Sequence, residues 1–401
     1  MEKSQVNNIL VVGNGFDLHH YLPTRYKDFI NVIKRLFELE EIGKIDFCNF
    51  LAYIYGTKSP LNQHGNYIGE CYRVHKDEID KIVLDHAVHA KIINSAKANV
   101  WMKYFLHREE NTGGWIDFEK EIAQVLEAFS EAIDTLNEMC KKVDKLYKTY
   151  ELDRRNTSFE TLYILDKFPE IFENYNGTMI LKAEFWNKAE LEGTIENIKV
   201  NEEKIVDYLY MQLRELKKIL VLYIQEFVQK IAVNKKSQCF LFENVDAVIS
   251  FNYTNTYSLL YNDNIKVFYI HGNANRNNIV LGINDDESDQ LDKMNLRFVK
   301  FKKYYQRIIN NTFVDYKTLI GEGEACVLHF VGHSLDKTDR DIIKSLINSE
   351  NVVKSIIYYH DKNSYSQLII NLVSLFGKNK FDELMQNHKI EFVELEKFEK
   401  V

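Results

Sequence analysis

Apolar positions along this chain follow two rhythms, and the change from one to the other divides it. Ile9-Leu10-Val11-Val12 is an unbroken, largely β-branched run, the pattern of a strand covered on both faces in a parallel sheet. Gly13-Asn14-Gly15 ends it, and Thr24 is placed to cap a helix carrying Phe29, Val32, Ile33, Leu36 and Phe37 on one face. From about residue 76 to 233 the period becomes helical. Ile122, Val125, Leu126, Phe129, Ile133 and Leu136 form one stripe; Leu209, Leu213, Leu216, Leu220, Tyr223 and Phe227 form another. The second stripe suits a helical hairpin or an oligomer seam. Residues 152–200, between the stripes, are aromatic and irregular and predict no particular element. After residue 244 short apolar runs bounded by turns return at 245–251, 267–270, 279–283, 326–331, 355–359 and 390–395, with helical patterns at 339–347 and 365–376.

This order predicts an α/β protein: an open, mostly parallel, Rossmann-like sheet from residues 1–75 and 240–401, with a large helical insertion at 76–239. Ligands of such sheets bind beyond the carboxyl ends of the strands, where strand order reverses. Four polar clusters fall at such ends.

Composition narrows the class. The 401 residues carry 51 basic and 59 acidic side chains, a formal charge of −8, which gives nucleic acid no bulk electrostatic hold. Five cysteines (Cys48, Cys71, Cys140, Cys239, Cys326) show no C-x-x-C spacing, so neither a disulfide framework nor a cysteine zinc site is expected. No stretch approaches about 18 uninterrupted apolar residues, and the amino terminus lacks a signal-peptide core. A cytoplasmic protein without a membrane partner is the expectation.

The first cluster is Gly13-Asn14-Gly15-Phe16-Asp17, followed by Leu22-Pro23-Thr24. Two glycines after a buried strand let the backbone approach a phosphate; a plain tight turn is the alternative. Asp17 would repel a phosphate and fits better as a ribose hydroxyl acceptor or a general base. The second cluster, Phe251-Asn252-Tyr253-Thr254, offers Asn252 to hold a ribose or position a water, or is a polar strand-end turn. In the third, Ile270-His271-Gly272, His271 is placed to face a cleft as general acid or base, or is a buried, hydrogen-bonded histidine. The fourth, Gly332-His333-Ser334-Leu335, forms a second cradle ahead of a helix whose N-cap is Asp339. Within the insertion, Asp117 and Glu119 read as charges complementing a helix dipole, and His86 with His89 as surface residues without a third metal ligand.

Gly13-Asn14-Gly15-Phe16-Asp17-Leu18 with Leu22-Pro23-Thr24 and Tyr26-Lys27-Asp28-Phe29 resembles the opening motif of the AbiH family. Trp115-x-Asp117-x-Glu119, Phe251-Asn252-Tyr253-Thr254, Ile270-His271-Gly272, the 301–308 segment with Lys303 and Gln306, and Gly332-His333-Ser334-Leu335 resemble its later blocks. That resemblance implies abortive infection, in which an infected bacterium halts growth before phage multiply, and so a phage-derived trigger. The family in turn resembles sirtuin-like NAD-consuming domains. By that likeness Gly13, Asn14, Gly15 and Phe16 form the cofactor-side turn, with Thr254, Gly272, Gly332, His333 and Ser334 completing the nucleotide site. Asn252 matches the asparagine beside the nicotinamide ribose and His271 the catalytic histidine. Asp17 stands where sirtuins carry a small hydroxyl residue, and Thr254 where an aspartate follows the asparagine. No four-cysteine zinc module follows His271, so protein deacylation is not implied.

The expectation is an NAD⁺ glycohydrolase using Asn252, His271 and Asp17, with NAD as substrate and no metal or other cofactor. Two competitors share the cleft. One is a metal-dependent hydrolase of nucleotides or nucleic acid recruiting Asp17 with Asp117 or Glu119. The other is a non-catalytic nucleotide sensor.

Overall fold

The computed structural model describes residues 6–42, 67–82, 85–111, 117–141, 150–187, 190–191, 194–195, 198–231, 244–284, 296–312, 320 and 325–395. Its chain forms two compact units, residues 1–89, 220–280 and 307–401 in one, 90–219 and 281–306 in the other.

The first unit holds a six-stranded sheet of β1 (Asn7–Val12), β2 (Val245–Ser250), β3 (Lys266–Tyr269), β4 (Cys326–Val331), β5 (Val352–Tyr359) and β6 (Ile390–Glu394). Its spatial order is 3-2-1-4-5-6 and every pairing is parallel. That is the doubly wound order, whose direction of growth reverses between β1 and β4. Val12 pairs with Ser250 on one side and Val331 on the other. The first three polar clusters therefore follow β1, β2 and β3, and the fourth follows β4, at one end of the sheet.

Side-chain alternation explains why the β1 run has no polar member. Ile9 and Val11 join Leu328, Phe330 and Ile357 on one face, against Ile342, Ile343, Leu346 and Ile347 of the helix Arg340–Asn348. Leu10 and Val12 join Val248, Val331, Phe16 and Tyr257 on the other. Each fully buried Leu, Ile or Val contributes roughly 1.5–3 kcal/mol by leaving water.

Two expected details differ. Thr24 does not cap the next helix, which runs Tyr26–Ile42; its hydroxyl donates to Asn14 Oδ1 at 2.6 Å, while Asp28 accepts the Arg25 amide. The 279–283 run is not a strand. Val280 donates to the His271 carbonyl, and Ile283 makes only an isolated bridge to Lys302. Between them the Gln306 side chain takes the place of a neighbouring strand, accepting from the Leu281 amide and donating to its carbonyl at 2.8 Å. An extended apolar run needs its backbone groups satisfied, and one buried carboxamide does that without a ladder.

In the second unit the first helical stripe lies buried along the helix Phe118–Lys141. The Leu209–Leu216 part of the second stripe is buried along the helix Glu202–Tyr223. The irregular stretch contains an antiparallel sheet of 151–152, 178–181 and 172–175. Its hairpin turns on Asn176 and Gly177, both at positive φ (53° and 85°). No helix among the described residues is long and apolar enough to cross a membrane.

Candidate functional site at the strand ends

The turns after β1 and β4 are built against each other. Gly13 N–H donates to the Val331 carbonyl at 3.1 Å and Gly15 N–H to the Gly332 carbonyl at 2.7 Å. A Cβ at Gly13 would stand 2.6 Å from His333 Cα, and one at Gly15 would stand 2.8 Å from Gly332 Cα. Gly332 itself has φ +64°, and a Cβ there would meet the Phe16 nitrogen at 2.2 Å. What the glycines admit is thus the neighbouring turn, and the Gly13 and Gly15 amides are spent on it. Phe16 is buried in the core beside Tyr257 and His20.

Asn252 joins the same assembly, its Nδ2 donating to the Gly13 carbonyl at 3.0 Å. Asp17 lies beside it, 1% exposed. Thr254 Oγ1 donates to Asp17 Oδ2 at 2.6 Å, and Thr256 Oγ1 donates to Thr254 Oγ1 at 3.0 Å. Asp17 Oδ1 has no hydrogen-bond partner among the described residues. Burial pushes this carboxyl up to about 6, against the opposing pull of Thr254, Thr256 and Asn252. It lines a narrow crevice with Ser250, Asn252, Thr254, Thr256 and Tyr269.

A different arrangement stands at the ends of β3 and β4. His271 Nε2 lies 2.7 Å from Asp339 Oδ1, across 68 residues of sequence. Both side chains are largely buried, 7% and 13% exposed. Asp339 is the N-cap residue of the helix Arg340–Asn348 but makes no capping bond with its side chain. The sequence assigned it to the cap; its carboxylate faces imidazole instead. His333 Nε2 stands 3.7 Å from the second oxygen, Oδ2, of the same carboxylate. His333 Nδ1 accepts the Leu335 amide at 2.9 Å, which places the His333 proton on Nε2. Leu335, fully buried, is held at φ +55°. Phe251 packs its ring edge-on against both imidazoles, 5.5 Å from His271 and 4.3 Å from His333.

The remaining expected residues divide between turn and surface. Gly272 has φ +76° and backs onto the Asn278 carbonyl. Ser334 is exposed, and its carbonyl accepts from Asn371 Nδ2 at 2.7 Å. Asp117 caps the helix Phe118–Lys141 through the Glu119 amide, and the Glu119 carboxylate pairs with Lys303 Nζ at 2.7 Å. His89 is fully buried and stacks on Phe227, and burial pushes its imidazole down to about 4, so it is not the surface residue expected. Trp115 of the expected Trp-x-Asp-x-Glu block lies outside the described residues. The residue that sequence reasoning left in a structural role is Asp339, because nothing local ties it to His271.

A doubly wound parallel sheet with a histidine–carboxylate pair at its strand ends defines a Rossmann-like α/β protein. More particularly, the chain belongs to the bacteriophage abortive infection AbiH family, whose model matches residues 9–361 and so includes every residue of this site. Its role is accordingly in abortive infection. No curated protein and no solved structure matches it.

Proposed function

We propose that the chain carries out abortive infection by hydrolysing NAD⁺ at its nicotinamide N-glycosidic bond. The observation that supports this reading most is the His271–Asp339 pair at the strand ends. Asp339 accepts the Nε2 proton and leaves Nδ1 as the basic nitrogen, so His271 acts as general base. The bond from C1′ to the pyridinium nitrogen breaks with its electron pair passing to nicotinamide, which leaves neutral. Water adds to the oxocarbenium-like C1′ and gives its proton to His271, yielding ADP-ribose. Asn252 and the two glycine turns hold the floor on which the sugar rests. The choice of NAD⁺ among nucleotides rests on the resemblance to sirtuin-like domains.

The test is nicotinamide release by purified protein, with and without a chelator, and NAD⁺ content in phage-infected cells. Release that survives the chelator and is lost in His271→Ala is expected. Cells that arrest on infection with NAD⁺ unchanged would overturn the substrate assignment.

A further inference from the structure

The cofactor-side role expected of His333 fits its surroundings poorly. Its ring is buried, its Nδ1 is taken by the Leu335 amide, and its Nε2 faces a carboxylate rather than a cleft. Asp339, for its part, occupies a place where aspartate ordinarily accepts an amide of the first helical turn. It forgoes that bond. Its two oxygens instead point to two imidazoles, Oδ1 to His271 at 2.7 Å and Oδ2 to His333 at 3.7 Å. The second distance is too long for a hydrogen bond but close enough for the Nε2–H dipole to attract the carboxylate.

We infer that His333 is a positioning residue: it holds Asp339 away from the helix cap so that the carboxylate stays on His271. This rests on the reading of His271 as general base. The backbone supports it, since Gly332 at φ +64° and Leu335 at φ +55° pin the His333 turn in a conformation that L residues rarely adopt. That turn fixes the Nε2–H tautomer by supplying an amide to Nδ1. Without His333 the carboxylate turns toward the first turn of the helix Arg340–Asn348, and His271 loses the group that orients it.

Two substitutions separate the ends of the imidazole. In His333→Asn, Oδ1 falls near the place of Nδ1 and keeps the Leu335 amide satisfied, but nothing reaches Asp339. In His333→Gln, Nε2 falls near the place of the imidazole Nε2 and keeps a donor toward Asp339, while the Leu335 acceptor is lost. Proton–nitrogen spectra of the full chain, labelled at histidine, provide a readout that needs no substrate. The His271 Nε2–H signal, protected from exchange by Asp339, is expected in the wild type, lost in Asp339→Ala and His333→Asn, and kept in His333→Gln. Where nicotinamide release is measurable, His333→Asn lowers kcat at least tenfold with KM little changed, and His333→Gln recovers it to within about threefold of wild type. Thermal unfolding of each variant confirms that it is folded. A His271 signal that persists in His333→Asn overturns the inference, whether or not NAD⁺ proves to be the substrate. So does a rise in KM shared by both variants, which would make His333 a ligand contact.

Discussion

Two carboxylates, Asp17 buried and Asp339 largely so, stand at the same end of the sheet, and their surroundings differ. Asp17 is 1% exposed and answered by hydroxyls: Thr254 donates to it and Thr256 to Thr254. Asp339 is 13% exposed and answered by imidazoles. Hydroxyl donors leave the negative charge where it is and add no group that titrates near neutrality. An imidazole accepts a proton from a third party and is stabilised in doing so by the carboxylate behind it. Under the proposed function the Asp17 side is a joint that locks β1 to β2, and the Asp339 side is the reacting half. Position at a strand end does not distinguish them; the partner of the carboxylate does.

The sharpest way to break this comparison is to disable each half in turn. His271→Ala removes the proposed base and is expected to lower turnover by about 10²–10⁴-fold, the usual worth of general base catalysis, with protection against phage lost in the same variant. Asp339→Asn leaves a neutral partner of the same shape and is expected to cost on the order of a hundredfold, mostly in kcat. Equal activity of wild type and Asp339→Asn in a steady-state assay would show that the pair is structural.

Asp17 should respond in stability instead. Its folded-state value of about 6 lies above the ordinary 3.8, so the folded chain holds the proton more tightly across that window. The contribution of Asp17 to stability is consequently most favourable below about pH 4, falls as pH rises through 4 to 6, and stays lower above it, by roughly 3 kcal/mol in all. Asp17→Asn removes the buried charge but places an amide N–H₂ where the unpartnered Oδ1 stood, so a net gain of about 1–2 kcal/mol at pH 8 is expected. Denaturant unfolding at pH 4.5 and pH 8 measures it. A variant less stable than wild type at pH 8, or one without turnover, would move Asp17 into the reacting half.

How far the sequence carried depends on whether the signal was local. The β1 run and the Ile342, Ile343, Leu346, Ile347 face were legible because burial on a strand or helix writes its period into neighbouring positions. The Asn176-Gly177 hairpin lay in the stretch for which no element was predicted, although a two-residue turn at positive φ favours such a pair. Residues 279–283 misled because apolar composition says nothing of where the backbone bonds go, and their partner is the side chain of Gln306. Within the site, Gly13, Gly15, Asn252 and His271 stood out by residue type at a strand end. That Gly13 and Gly15 face Gly332, and that Asp339 faces His271, are facts of pairing between β1 and β4 and between separate turns. No window of sequence contains both partners.

The smallest effect expected is at Asn252, and it refines the boundary between the halves. Its Nδ2 bonds to the Gly13 carbonyl, tying the end of β2 to the glycine turn, and it adjoins both Asp17 and the Phe251 ring that packs on His271. Asn252→Ala deletes one buried donor and leaves the Gly13 carbonyl without it, a loss of about 1–2 kcal/mol in unfolding free energy. If the residue only fastens the joint, turnover falls no more than a few-fold and follows the loss of stability. Asn252→Asp is then worse than alanine, because a carboxylate would face a carbonyl oxygen and stand near Asp17. If Asn252 instead touches the sugar or the attacking water, alanine abolishes turnover while the unfolding midpoint moves little. Measuring both quantities on the two variants decides whether the line between scaffold and chemistry runs on the Asp17 side of β2 or through Asn252 itself.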